Sequence, residues 1–451
     1  MSQRARVFKN WFVVFGMLLL LSPRLVTFAA TDDACPLPVR HPTPPAITLP
    51  TEIDSDFQLI ETLSPQILAY LNLTGTIDDL TETLDALHND FVDVKGTQVF
   101  RTDITWDDVA EVVVSVNGDF GGGVEGAILA YGCEEGAFVL LGQIDVYGMS
   151  DDDAYLPQII DIVDMDGRAG ADIVHSYVSV VGRGYIREIE IHWWDGYRFD
   201  ILASGWQVWA GNGTIVDRDE DGTPEIVLTS PETYNPEFDA NGQIDWRQTE
   251  DVWQWLGGLF IPVCKRAISE PDFRFEAVEN GDDNLLCGFY NPGYYDIALD
   301  YFQQVIDDET LLDWPLDCRT PFYCATEEPE NYATDPGERL RLMAYSRYRM
   351  MQVYLALGDL EAAAIIHKTL LVGHPSGTPG HPYAELATVF WESAMATDNL
   401  GTACEETLAY ATEHQEELFV LPDIYQRGDD ADPHGYFDRF IDSSWQICTF
   451  R

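Results

Sequence analysis

Basic residues are scarce in this chain. Its 451 residues include 77 aspartates and glutamates but only 25 lysines and arginines, a formal net charge of -52. A surface of that sign repels nucleic-acid phosphates and anionic lipid, and it attracts Ca²⁺ and cationic partners. Nucleic-acid binding is therefore excluded, while solubility in a salty setting explains the same acidity without any partner. Signatures of catalysis are missing as well. No Cys-x-x-Cys pair occurs among the eight cysteines, which removes zinc ribbons and thioredoxin-type redox chemistry. No His-Glu-x-x-His occurs, and His367 and His374 stand too far apart for two ligands on one helical turn. Neither a Gly-x-Ser-x-Gly elbow nor a Gly-x-x-x-x-Gly-Lys phosphate loop is present. The run Gly118 to Gly123 reads as a hairpin, not as a nucleotide loop.

The apolar run from Trp11 to Leu21 is too short for a membrane span. It follows Arg4, Arg6 and Lys9 and precedes the polar break Ser22-Pro23-Arg24 and the small pair Ala29-Ala30. That is the layout of a secretory signal over residues 1–30, an uncleaved anchor being the alternative. An extracellular or cell-envelope location is expected, with no membrane span after cleavage. All eight cysteines lie beyond the signal, and an even number in an exported chain predicts disulfides. Cys318 and Cys324 are close enough to close a small loop; the other pairings stay open.

An apolar content of 46% and twelve tryptophans predict a folded chain of two or three domains. Residues 31–53 are proline-rich and read as an extended linker. Residues 54–97 form a short helical lead-in. There Ser64 and Pro65 supply a cap and a first-turn proline, and leucines recur at helical spacing from Ile77 to Leu87. Residues 98–266 change to β-branched runs with glycine turns, residues 267–290 form a second link, and helical spacing fills 291–451. The fold class is multidomain α+β.

The β region is organised around Asp217–Glu225, which carries carboxylates at loop positions 1, 3, 5 and 9 and Gly222 at position 6. Ca²⁺ takes six to eight oxygens, and such a loop can supply Asp217, Asp219, Asp221 and Glu225 with the carbonyl of Thr223. Leu228 stands where an EF-hand needs glutamate, so this is a different calcium loop. A weaker copy offers Asp103, Thr105, Asp107, Val109 (at the place of Thr223) and Glu111. A third copy runs from Asp164 to Asp172, but Arg168 replaces its third acid and fills the cation's place with its own charge. The final acids Glu111, Asp172 and Glu225 lie 61 and 53 residues apart. Behind each loop comes a strand, a glycine turn and another strand: Ala127–Leu141, Ile189–Leu202 and Val252–Cys264. Periods of this length signal repeated β units.

These copies resemble the FG-GAP/VCBS-type repeats of integrin-like β-propellers, whose blades carry a D-x-D-x-D-G-x-x-[DE] loop. The resemblance spans residues 98–266 and is complete at Asp217, Asp219, Asp221, Gly222 and Glu225. Thr105, Asp108 and Arg168 depart from it. It implies Ca²⁺ as the bound ion and a propeller-like domain. Three copies are fewer than a closed propeller takes, so the domain is an open or partial propeller or holds a unit the motif does not show.

Ala344 to Pro375 resembles a tetratricopeptide repeat, with Tyr354, Gly358-Asp359, Ala363 and Pro375 at its aromatic, turn, small-residue and terminal-proline positions. Ala384 to Gln415 fits a second copy through Ala394, Asp398-Asn399, Ala403 and Tyr410. Gly293 to Ala298, then Phe302, fit the second half of an earlier one. Arg347 and Asp398 depart from the pattern. The resemblance implies stacked helix pairs that bind a protein or peptide. The leading expectation is a secreted or envelope-associated, non-catalytic binding or scaffold protein. The alternative is an exported hydrolase or carbohydrate-binding protein, using carboxylates and the tryptophans Trp193, Trp194, Trp206, Trp209, Trp246, Trp253 and Trp255. Packing between sheets is the competing role for those rings.

Overall fold

Runs such as Val112-Val113-Val114, too apolar for a strand with one wet face, set the architecture. A computed structural model describes residues 35, 45–49, 56–73, 77–120, 124–148, 156–168, 170–181, 184–209, 211–230, 247–313, 334–414, 418 and 447–450. The signal, most of the proline-rich linker, Cys318, Cys324 and Trp246 lie outside them.

Among the described residues twelve strands form three four-stranded antiparallel sheets, each a meander in chain order. Sheet one holds β1 (Asp93–Thr102), β2 (Glu111–Asp119), β3 (Val124–Glu134) and β4 (Ala137–Gly148). Sheet two holds β5 (Gln158–Val163), β6 (Asp172–Val181), β7 (Gly184–Trp194) and β8 (Phe199–Trp209). Sheet three holds β9 (Asn212–Val216), β10 (Glu225–Ser230), β11 (Thr249–Trp255) and β12 (Phe260–Ala267). In each sheet a glycine at positive φ (Gly136, Gly196 or Gly257) makes the turn between the third and fourth strands.

The sheets stack face to face. Ile104, Val113, Ile128 and Ile144 of the first pack on Ile159 and Ile173 of the second. Val174, Ile189, Ile191 and Trp206 of the second pack on Ile226, Leu228 and Phe260 of the third. Among the described residues no core cluster joins sheet one to sheet three. Helices cover the two ends instead. Leu59, Leu63 and Ile67 of α1 (Asp56–Leu73) and Leu80 and Leu84 of α2 (Ile77–Asp85) pack on Val112, Val114 and Val116. β2 is thus buried on both faces, Val113 toward sheet two and its neighbours toward α1, which accounts for its unbroken apolar run.

Two expectations are corrected here. Ser64-Pro65 does not start a helix, because Pro65 lies inside the 18-residue α1. Proline removes one helical amide, yet the helix continues because Leu63 and Ile67 on either side are fully buried. Residues 267–290, expected as a link, hold helix α3 (Arg274–Cys287), which with α4 (Gly293–Asp307) closes the far end of the stack. Its pattern was hidden because Arg274, Glu276, Asn280, Asp282 and Asn284 are buried polar residues in place of an apolar stripe.

Glu276 begins that helix, accepting the amides of Asp272 at 2.8 Å and Phe273 at 3.1 Å on Oε2. Burial pushes its carboxyl up to about 7, against the pull of Arg247. A carboxyl raised in the fold contributes stability below its unfolded value and loses it as pH rises through the folded one. Between pH 5.5 and 7.5 this group therefore withdraws about 2 kcal/mol. Glu276→Gln keeps the acceptor without the titration. Urea unfolding at the two pH values is expected to move the gap between variant and wild type by that amount in the variant's favour.

Two helical hairpins follow: α5 (Glu338–Ala356) with α6 (Leu360–Gly373), and α7 (His381–Thr397) with α8 (Leu400–Glu413). The turn of the first uses Gly358 at φ +76°, and the second puts Asp398 in the same left-handed conformation at φ +53°. Asp359 and Asn399 then cap the second helix of each hairpin by accepting the amides of Ala362 and Thr402. Ala363, Ala394 and Ala403 are buried where the paired helices meet. Among the described residues no helix is long and apolar enough to cross a membrane.

Disulfides join Cys35 to Cys133, Cys264 to Cys287 and Cys404 to Cys448. They fit an oxidising environment. The second staples β12 to α3, across the junction of sheet and helix.

Candidate metal centres

Each acidic loop joins the first strand of its sheet to the second. The ninth residue opens the second strand and is buried: Glu111, Asp172 and Glu225 are 2%, 4% and 0% exposed. In all three its carboxylate accepts the amide of the loop's second residue, Ile104 at 2.7 Å, Met165 at 2.9 Å and Arg218 at 2.7 Å. The first carboxylate also folds inward. Asp103 accepts the amides of Trp106 and Asp108, Asp164 that of Gly167, and Asp217 those of Asp221 and Gly222. The fourth residue is left-handed in every copy, with Trp106 at φ +67°, Gly167 at +75° and Glu220 at +60°. The three loops are therefore one structure built three times.

The carboxylates converge. Asp217, Asp219, Asp221 and Glu225 each bring an oxygen within 4.8 Å of the others, as do Asp103, Asp107 and Glu111 in the first loop. Either cluster can hold a metal ion. Thr223 and Val109 sit at the seventh position, their amides bonded to Asp221 at 2.8 Å and Asp107 at 2.9 Å. The Thr105 hydroxyl donates to Glu111 Oε1 at 3.1 Å. Asp164, Asp166 and Asp172 also converge, but Arg168 ion-pairs with Asp166 and lies 4.3 Å over the Trp193 ring. A fixed guanidinium thus already stands against one of its three carboxylates.

Burial above all, with Asp219 and Asp217 adding their charge, pushes the Glu225 carboxyl up, while the Arg218 amide pulls it down. The nearby Tyr290 hydroxyl adds to that downward pull. Glu111 is raised in the same way by burial, with Asp107 and Asp103 contributing. A cation among these oxygens reverses that cost by favouring their charged forms. Arg218, the second residue of loop three, turns its guanidinium to Glu250. It forms a bidentate pair with Glu250, Nη1–Oε1 2.6 Å and Nη2–Oε2 2.5 Å, and donates to the Tyr294 hydroxyl of α4 at 3.0 Å.

Trp194, Trp206, Trp253 and Trp255 are occupied with packing. Trp206 meets Trp253 edge-on at 6.2 Å and Phe260 at 5.1 Å between sheets two and three. Trp194 meets Phe199 at 5.1 Å. An open cleft of about 480 Å³ remains beside Trp206, Trp253 and Trp255, with Asp251 on its wall. Compared with models of known protein families and with curated proteins, the chain matches none.

One group went unread in the sequence. His175 on β6 and Glu190 and His192 on β7 bring donor atoms within 4.8 Å of one another. The signal that finds it is Glu190-x-His192, two positions apart on one strand and so on one face. The cross-strand partner His175 follows only from the register.

Proposed function

We propose that this is an exported, non-catalytic binding or scaffold protein, with a calcium-stabilised array of FG-GAP/VCBS-like β units joined to tetratricopeptide-like helical hairpins that engage a protein or peptide. The observation that carries it is the recurrence of one acidic loop at the same place in three successive sheets, two copies presenting converging carboxylates without a protein cation among them. Repetition of a supporting element suits an extended platform better than a single catalytic cleft. The matched turns at Gly358 and Asp398 support the repeat reading of the helices. The disulfides and the acidic surface support an extracellular or envelope setting.

The open cleft at Trp253 and Trp255 favours carbohydrate as the second reading, since half-buried indole rings beside a carboxylate suit a sugar. A panel of polysaccharides incubated with the mature protein separates the two. No released sugar is expected. Turnover that disappears in Asp251→Asn would replace the scaffold with a hydrolase.

A further inference from the structure

We propose that His175, Glu190 and His192 form a site for a divalent transition metal of the zinc type, distinct from the acidic calcium loops. His175 pairs directly with Glu190 across β6 and β7, and His192 follows Glu190 by two residues. All three side chains therefore rise from one face of sheet two. His192 Nε2 lies 3.2 Å and His175 Nε2 3.6 Å from the same oxygen, Glu190 Oε2. Metal–ligand bonds of 2.0–2.2 Å place the donors of a tetrahedral zinc about 3.3–3.5 Å apart, so each imidazole nitrogen already stands close to that spacing from the shared oxygen, with all three donors within 4.8 Å of one another.

The surroundings point the same way. His175 is 1% exposed, and neither ring nitrogen has a hydrogen-bond partner. An imidazole buried like that forfeits the solvation of both ring nitrogens, and a metal on Nε2 satisfies one of the two. Burial first, then the neighbouring His192, holds His175 neutral, its pKa pushed down to about 3, and burial also lowers His192. Neutral imidazole is the ligating form. The two rings lie nearly parallel with centroids 5.0 Å apart, which like-charged imidazolium rings would oppose. The other carboxylate oxygen faces the Tyr177 hydroxyl, whose single proton is shared between Glu190 Oε1 at 3.2 Å and Glu188 Oε2 at 3.3 Å, while Oε2 faces both imidazoles. That hydroxyl has the place of the outer partner that orients a metal-binding carboxylate. Two imidazoles and one carboxylate suit Zn²⁺ and its neighbours and not Ca²⁺, which takes oxygen. The Glu190 side chain is 23% exposed, so the fourth position opens to water.

The test uses tag-free mature protein stripped with chelator and titrated with Co²⁺, then with Zn²⁺. Wild type is expected to develop the intense visible d–d bands of low-coordinate Co²⁺, which acidic oxygen loops do not give, and one equivalent of Zn²⁺ should abolish them. Asp219→Ala is expected to keep the bands. Glu190→Gln, close to isosteric and partly exposed, is expected to lose them with unchanged far-UV circular dichroism, and His192→Gln likewise. Tyr177→Phe should weaken Zn²⁺ binding about 10- to 100-fold. Absence of the bands in wild type, or their persistence in Glu190→Gln and His192→Gln, would make the cluster a plain histidine–carboxylate contact and overturn the proposal.

Discussion

Arg349→Met is expected to lower stability by about 3–5 kcal/mol, the cost of leaving a buried charge without its partner. Arg349 on α5 and Asp282 on α3 are 0% and 3% exposed in their side chains and meet at 2.7 Å. Tyr345 donates to the second Asp282 oxygen at 2.7 Å, and Arg349 Nη1 donates to Gln352 Oε1 at 2.9 Å. Gln352 in turn donates to the Tyr348 hydroxyl and to the carbonyl of Ile447. This network ties the helix against sheet three to the first of the two later hairpins and to the C-terminal residues. Methionine fills the volume but strands the Asp282 carboxylate. The double variant Asp282→Asn with Arg349→Met removes the stranded charge and should recover a large part of the loss. Urea unfolding of the three proteins checks both steps. A single-variant loss under about 1 kcal/mol would mean that Asp282 is carried neutral and that the pair holds little together.

Ca²⁺ is expected to stabilise the protein by about 2.7 kcal/mol at a hundredfold excess over its dissociation constant. The melting temperature in Ca²⁺ should exceed that in EDTA, with Mg²⁺ at equal ionic strength giving less because it demands a tighter octahedral shell. Asp219→Ala removes one of the four carboxylates gathered in loop three and should shrink the increment. Asp103→Ala should shrink it by whatever loop one contributes. Arg168→Ala should leave the wild-type response intact or enlarge it, since it frees Asp166. Identical melting curves in Ca²⁺ and EDTA would leave the loops as acidic turns and take away the strongest support for the proposed β units.

The sequence made some of this legible and hid the rest for physical reasons. Carboxylates at positions 1, 3, 5 and 9 could be read because alternate residues of a tight loop must converge. The left-handed fourth position could not, because Trp106 and Glu220 stand there and only Gly167 announces such a backbone. β2 was readable from its valines. α3 was not, since its inner face is held by specific polar pairs, Arg274 on the carbonyls of Asp308 and Leu311 and Asp282 on Arg349. Pro65 misled because a first-turn proline and a mid-helix proline look alike until the packing of Leu63 and Ile67 is known. His175 and His192 stayed unread because the pairing of β6 with β7, not their spacing in the chain, brings them together.

The three described disulfides have one further consequence. Cys35–Cys133, Cys264–Cys287 and Cys404–Cys448 span consecutive stretches of chain that neither overlap nor interleave. Each pair is complete before the next cysteine of another pair is reached. A chain emerging N-terminus first can therefore close its bridges in order of appearance, the first tying Cys35, ahead of α1, to β3 of sheet one before sheet two exists. Pairing each described cysteine with the next one to arrive already gives the native set, and no bridge has to be broken to reach it.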